Sequence, residues 1–306
     1  MARTAQSFVL AVAISKSQIG KLRSADILAM KTALITSIPP IANDQKFGER
    51  LSYQKHCIAS WMACGHEPHS LNVDEELRHL AKLFPEVFFH PADRSTAPIN
   101  HRNLVYLADA IGLGLEISSE RIAICNADVF FDPLIAFTQA LPLDLSLAYS
   151  HRIDIDRVDQ PTHAKSFFGI DYVNLSQEFA SKLTDHIFAL GLPWWDYWLP
   201  LEALRKGSTP INLTWNHYPL LRHLIHGDRW DPSSLVYLGR HLLNVVSTGV
   251  DHSQLNQHLI TSTWKRFNDS FTGIMVTPTA EIFARIARDL CRHIQEKSVT
   301  HDFKRN

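Results

Sequence analysis

Apolar runs and amphipathic segments alternate along the first half of the chain. Thr32–Ala33–Leu34–Ile35–Thr36 is a short apolar run closed by Ser37–Ile38–Pro39–Pro40, which predicts a buried strand ending in a turn. From Arg50 to Cys64 the apolar residues Leu51, Cys57, Ile58, Trp61 and Met62 fall at helical spacing, and Gly65 supplies a stop. His69–Asn72 reads as a second strand. Asp74–Glu75–Glu76 opens a helix with its acids where the helix dipole favours them, and Pro85 ends it before a third strand at Val87–Phe89. A polar loop and a helix over Asn103–Ile111 then lead into a fourth apolar run. Strand alternating with helix in this way predicts an α/β chain with a mostly parallel, doubly wound sheet.

The fourth run, Ile122–Ala123–Ile124–Cys125–Asn126–Ala127–Asp128–Val129–Phe130–Phe131, is interrupted by one polar tripeptide. Period-two geometry sends Asn126 and Asp128 to one face with Ala127 opposite. A carbonyl and a carboxylate then lie side by side at a strand's carboxyl end, the edge where open α/β sheets bind ligands. A hard cation bridging phosphate oxygens would suit that pair. The plainer alternative is that Asp128 caps the turn before Asp132–Pro133.

The second half is less regular. Leu145–Tyr149 is strand-like, Ser150–Gln160 reads as a charged loop, and Phe167–Val173 reads as a strand with a glycine break at Gly169. In Gly191–Trp198, three tryptophans and a tyrosine surround the single carboxylate of Asp196, and Leu199–Leu204 is predicted helical. Ile211–Leu213 is a short strand, followed by His217, His223 and His226. Glu281–Lys297 is amphipathic, with Ile282, Ile286, Leu290 and Ile294 on one stripe. That stripe packs either on the core or on a sister subunit, and the second choice would make the chain a homo-oligomer.

Composition narrows the classes. At 306 residues, 45% apolar and 20% charged, the chain is ordinary globular material with enough length for a large core. A formal charge of −1 with both signs interspersed gives no electrostatic case for nucleic acid. The four cysteines are scattered without a CxxC, so neither a disulfide framework nor a zinc knuckle is expected. Phe8–Ile14 is too short to span a bilayer, and a first strand or amphipathic lead-in is preferred over a secretory signal. The expectation is a soluble, cytoplasmic protein without a transmembrane segment, able to sit at the inner face of a membrane. Its divisions are a lead-in over residues 1–30, a main domain over 31–230 and a mainly helical extension over 231–306.

Asn100–His101–Arg102–Asn103 ahead of a helix, followed by Ile124–Cys125–Asn126–Ala127–Asp128–Val129–Phe130, resembles the nucleotide-sugar half of GT-A glycosyltransferases. Gly169–Ile170–Asp171 and Trp194–Trp195–Asp196 are similar to the later hallmarks of that fold, and the likeness spans roughly residues 31–230. Asn126 departs from it, standing where a first aspartate is usual. The resemblance implies transfer of a sugar from a nucleotide-diphosphate sugar to a hydroxyl of a glycan or glycolipid precursor. It implies Asp128 and His217 as ligands of Mn²⁺ or Mg²⁺. Thr36, Ser37, Asn72, Arg102, Asn126, Asp128, Gly169 and Asp171 would line the donor, Trp194 and Trp195 the acceptor. Asp196 would be the base of an inverting transfer, since aromatic walls exclude water and raise a carboxylate's pKa. Its alternative role is an N-cap. Two other readings stay open: a GT-A-like binding or scaffold module without turnover, and a nucleotidyltransferase. The second would want a glycine-rich basic loop after the first strand, where Ser37–Pro40 has neither glycine nor basic residue.

Overall fold

The computed structural model describes residues 32–117, 120–141, 145–159, 161–183, 187–215, 217–225, 232–247 and 280–303. The expected lead-in with Phe8–Ile14, and His226, lie outside them. In chain order the first half gives β1 (Thr32–Thr36), α1 (Phe47–Ala63), β2 (His66–Asn72), α2 (Asp74–Leu83), β3 (Phe88–Pro91), α3 (Ala97–Asn100), α4 (Leu107–Ile117), β4 (Arg121–Cys125) and β5 (Val129–Phe131). A 3₁₀ helix (Pro133–Ala140) leads to β6 (Leu147–Ile155), β7 (Ala164–Ser176), α5 (Gln177–Ala180) and α6 (Trp195–Arg205). Then come β8 (Ile211–Trp215), β9 (Tyr218–Pro219), β10 (Leu221–Leu224), α7 (Pro232–Ser247), α8 (Ala280–Lys297) and β11 (Val299–Phe303).

The sheet runs β11-β8-β6-β7-β4-β1-β2-β3. Along that path only β7 is antiparallel to its neighbours, so the sheet is mostly parallel, as the alternating pattern predicts. Strand alternation divides the core in two. Ala33, Ile35, Ile122 and Ile124 face one layer, built with α4, α6, α7 and α8. Leu34, Ala123 and Cys125 face the other, where α1 contributes Cys57, Ile58 and Trp61 and α2 contributes Leu80. Apolar side chains on both faces of β1 and β4 are what a doubly covered sheet requires.

Three expectations change. Ser150–Gln160 is not a loop from its start: β6 continues to Ile155. Ile153 and Ile155 alternate with Arg152 and Asp154, a period of two that the charges obscure. The stripe on α8 is spent inside the chain, with Ile286, Leu290, Cys291 and Ile294 buried against the core that α6 and α7 share. It is therefore not a free face for a sister subunit. The chain after residue 230 also returns to the main sheet, since β11 pairs in parallel with β8 from Val299↔Ile211 to Phe303↔Trp215. No described helix is long and apolar enough to cross a membrane.

Candidate active site

β4 stops at Cys125, so Asn126–Ala127–Asp128 is a turn into β5 and not the end of a strand. Its two polar side chains therefore take different partners. Asn126 Nδ2 donates to Asp171 Oδ1, and the Asn126 N–H donates to Asp171 O at 3.0 Å. Asp128 Oδ2 lies 3.7 Å from His223 Nε2. The cap of the next helix is Asp132, whose Oδ1 accepts from Leu134 N at 3.1 Å.

Helix α1 holds this turn by three successive carbonyls. Gln54 Nε2 donates to Ala127 O at 2.8 Å, Tyr53 OH to Asp128 O at 2.7 Å, and Trp61 Nε1 to Val129 O at 2.8 Å. Gln54 and Trp61 are two helical turns apart and share the buried face with Cys57 and Ile58. Tyr53 OH also accepts from Leu224 N at 2.9 Å, which ties the turn to β10. That strand lies between β5 and β6, so His223 stands opposite both Val129 and Asp154.

Asp171 owes its position to an irregular ladder. Tyr172, Ile170 and Phe167 of β7 stand opposite Ser150, His151 and Arg152 of β6. β7 thus carries Asp171 as an extra residue in the first interval, and Phe168–Gly169 in the second. Bulges of this kind re-aim side chains next to functional sites. Here the bulge gives Asp171 to Asn126 and to Arg152, whose Nη1 donates to Asp171 Oδ2 at 2.9 Å. Arg152 Nε donates to Asp154 Oδ1 at 2.8 Å, and the same oxygen is 3.0 Å from His223 Nδ1. A chain of contacts therefore runs Asn126–Asp171–Arg152–Asp154–His223–Asp128, beginning and ending in one turn. Burial by itself would lower the His223 pKa. The carboxylates of Asp128 and Asp154 outweigh it and raise the imidazole to about 9, so it is cationic at neutral pH.

Asp196 comes from the opposite side of β7. The turn that delivers it contains Gly191 at φ 79° and Trp194 at φ 84°. A bulky residue in the left-handed region costs about 1–2 kcal/mol, and Trp194 is held there by full burial and by its Nε1 donating to Leu235 O at 2.8 Å. α6 starts at Trp195, so Asp196 lies in the first turn and is not the N-cap. Its Oδ2 accepts from Ile170 N at 3.3 Å, which seats the half-buried carboxyl on the bulge of β7. Burial, then the charge of Asp171, push its pKa up to about 7 against the N–H groups of Ile170 and Tyr197. A carboxylate that titrates near neutrality can accept a proton from a hydroxyl and release it again.

The remaining predicted residues divide. Asn126, Asp128, Gly169, Asp171 and Asp196 are brought together. Thr36 is fully buried at the end of β1 against the Cys125 thiol and does not reach a cleft, while Ser37 after it is half-buried. Asn72 is buried and builds the neighbouring loop: its Nδ2 donates to Ile38 O and to Glu76 Oε2, each at 2.9 Å, and its Oδ1 accepts from Ser70 Oγ at 2.7 Å. Arg102 is half-buried in the loop between α3 and α4, its carbonyl accepting from Thr96 Oγ1 at 2.8 Å. His217 is corrected outright. It is exposed at the turn between β8 and β9 with φ 65°, and His223 holds the place beside Asp128. Trp194 and Trp195 are corrected as well: each is 1% exposed and belongs to the core. Sequence reading missed Arg152, Asp154, Tyr53 and Gln54. The Arg152–Ile155 alternation was the available signal for the first two. No signal singled out Tyr53 or Gln54, because their partners are backbone carbonyls.

Among the described residues no group of three or more His, Cys, Asp or Glu side chains is set to hold a metal ion by itself. Asp128 nevertheless suits one, as a carboxylate with 30% side-chain exposure. Mg²⁺ in phosphate sites takes one or two carboxylates and completes its shell with water and phosphate oxygens. Asp128 is thus the residue that would hold a cation, with the His223 imidazole beside it.

No protein-family model and no curated protein matches the chain. Among solved structures, it is similar to the inositol-1-phosphate CTP transferase of T. maritima, at 14% identity and a TM-score of 0.38, covering 72% of this chain and 98% of that one. It is also similar to 4-diphosphocytidyl-2C-methyl-D-erythritol synthase of Anaerococcus prevotii, at 9% identity and a TM-score of 0.36, covering 70% and 98%. A third is a putative glucose-1-phosphate thymidylyltransferase of Bacillus anthracis, at 8% identity and a TM-score of 0.32, covering 51% and 76%. At TM-scores this low these likenesses carry no argument about what the chain does.

Proposed function

We propose that the chain is a glycosyltransferase that moves a sugar from a nucleotide-diphosphate sugar to a hydroxyl of a glycan or glycolipid precursor. The observation that carries this reading is the placement of Asp196 on the β7 bulge, beside Asp171 and with its pKa drawn to about 7. The same bulge joins the Asn126–Asp128 turn at the carboxyl end of β4. One sheet edge thus offers a base for an acceptor and, beside it, the half-buried carboxylate of Asp128 for the diphosphate side.

In the transfer, Asp196 takes the proton of the acceptor hydroxyl. That oxygen bonds to the anomeric carbon from the face opposite the departing diphosphate, which leaves with the electron pair of the broken bond. The negative charge of Asp171 keeps Asp196 basic. Asn126 and Arg152 hold Asp171 in place, while His223, Tyr53 and Gln54 hold Asp128 and its turn. Asp128 would hold a divalent cation, whose chemistry would be to offset the charge that develops on the leaving group. Ser37 and Arg102 are assigned to the donor side, Arg102 through a charge-assisted fork to phosphate.

A nucleotidyltransferase reading is disfavoured by the turn after β1, which is pinned by Ser70 Oγ accepting from Ile38 N at 2.9 Å and whose Ser37–Pro40 has no glycine and no basic residue. The scaffold reading is favoured by the reduction of the Asn126–Asp128 motif to one carboxylate, Asp128, and one experiment separates the cases. Calorimetry with UDP and GDP, with and without Mn²⁺, should show Mn²⁺-dependent binding that Asp128→Asn abolishes while the variant stays folded. Equal affinity in that variant would remove Asp128 from the donor site. Donor binding with neither transfer nor hydrolysis over a broad donor panel would leave the scaffold reading.

A further inference from the structure

The aromatic surface expected of the two tryptophans is absent from the site, because both are core residues. One aromatic ring does reach solvent beside it. Phe167 is 45% exposed, and it lies on β7 just before the bulge that carries Gly169 and Asp171. A single exposed phenylalanine is ordinary on a protein surface. Phe167 differs in being fixed. The Arg152 guanidinium carbon sits 4.4 Å from its ring centroid, and that guanidinium is held by Asp154 and Asp171. A cation on one face anchors the ring.

Gly169 adds an opening. A Cβ built there would lie 3.0 Å from the Phe167 ring and 3.3 Å from Asp171 Oδ2. Any larger residue would crowd the space between ring and carboxylate. Ile170, the next residue, donates its N–H to Asp196. Ring, gap and the Asp171 carboxyl therefore follow one another along five residues of β7, with Asp196 of α6 seated on Ile170.

We infer that Phe167 is the stacking platform of the acceptor subsite, and that the ligand it takes is a neutral sugar ring. The inference rests on the proposed transfer, because Asp196 marks the acceptor side. The chemistry selects the ligand. A pyranose presents an apolar C–H face to an aromatic ring and hydroxyl donors at its rim, and the rim here is acidic. Asp171 Oδ2 is already paired with Arg152, so the carboxyl left to accept from a sugar hydroxyl is that of Asp196, and Gly169 leaves the ring room to approach it.

The test uses saturation-transfer NMR on the full chain with glucose, galactose, mannose and N-acetylglucosamine, and calorimetry with UDP and GDP on the same samples. At least one monosaccharide should bind, with saturation strongest at the C–H groups of one ring face. Phe167→Ala should weaken it about three- to tenfold, the size of one aromatic contact, while Phe167→Trp restores it. Nucleoside diphosphate affinity and the unfolding midpoint should not change in either variant. Undiminished sugar binding in Phe167→Ala would overturn the inference. So would the failure of all four sugars to bind a parent that still binds nucleoside diphosphate, leaving the donor reading intact. A parent that binds neither class of ligand would bring down both.

Discussion

At the scale of single residues the site is a set of charges whose pH behaviour can be worked out by sign. Asp196 is raised by burial and by Asp171 from an ordinary 3.8 to about 7. Between those values the folded chain keeps a proton that the unfolded chain has released, so its contribution to stability is fully present below 3.8 and lost as pH rises through 7. Asp196→Asn cannot ionise, so denaturation at pH 4 and pH 8 should show the parent losing stability relative to the variant at the higher pH. A difference that does not change with pH would mean the carboxyl titrates normally. His223 has the same sign of profile, displaced to higher pH. Carboxylates raise it from 6.5 to about 9, so its contribution is complete below 6.5 and fades through 9. Replacing it with Asn removes one partner from a buried ionic group and should cost on the order of 3 kcal/mol at pH 6. The same comparison above pH 9 should give a much smaller loss.

At the scale of elements, the decisive arrangement is α1 gripping the Asn126–Asp128 turn by its backbone. Tyr53→Phe keeps the ring and strands two groups, the Asp128 carbonyl and the Leu224 N–H. Leaving buried polar groups unpaired costs about 1–3 kcal/mol each. Equilibrium unfolding should show a loss of that order, and calorimetry should show weaker Mn²⁺-dependent nucleoside diphosphate binding. Unchanged affinity would mean that the turn holds its shape without the helix. The elements themselves were largely legible in the sequence, because β1, α1 and β4 declare their period through apolar residues, and α2 is marked by its acidic first turn and Pro85. What joins them was not. The β7 bulge depends on how Ser150–Arg152 pair with Phe167–Tyr172, and a one-dimensional pattern contains only a glycine to mark it. Choosing His223 over His217 required knowing that β10 inserts between β5 and β6. The tryptophans misled for a related reason: their density beside a carboxylate looked like a sugar-binding wall, whereas they are the packing that holds Trp194 in its left-handed turn.

At the scale of the whole molecule, the two cores on either side of the sheet do different work. The layer with α1 and α2 supports the turn that bears Asp128, while the layer with α6, α7 and α8 supports Asp196. The C-terminal helix is part of that second support, since Leu290 and Cys291 are buried in the core that contains Trp195 and Tyr197. Leu290→Ala should cost about 2–5 kcal/mol by urea denaturation, and a loss below 1 kcal/mol would show that α8 is only loosely seated. Asp196 accepting a proton is the central step, and the direct measurement is the rate of sugar transfer by Asp196→Asn against the parent, with the donor found by screening. Transfer should fall by about 10²–10⁴-fold, with donor affinity preserved and the variant no less stable than the parent. Undiminished transfer in that variant would contradict the account.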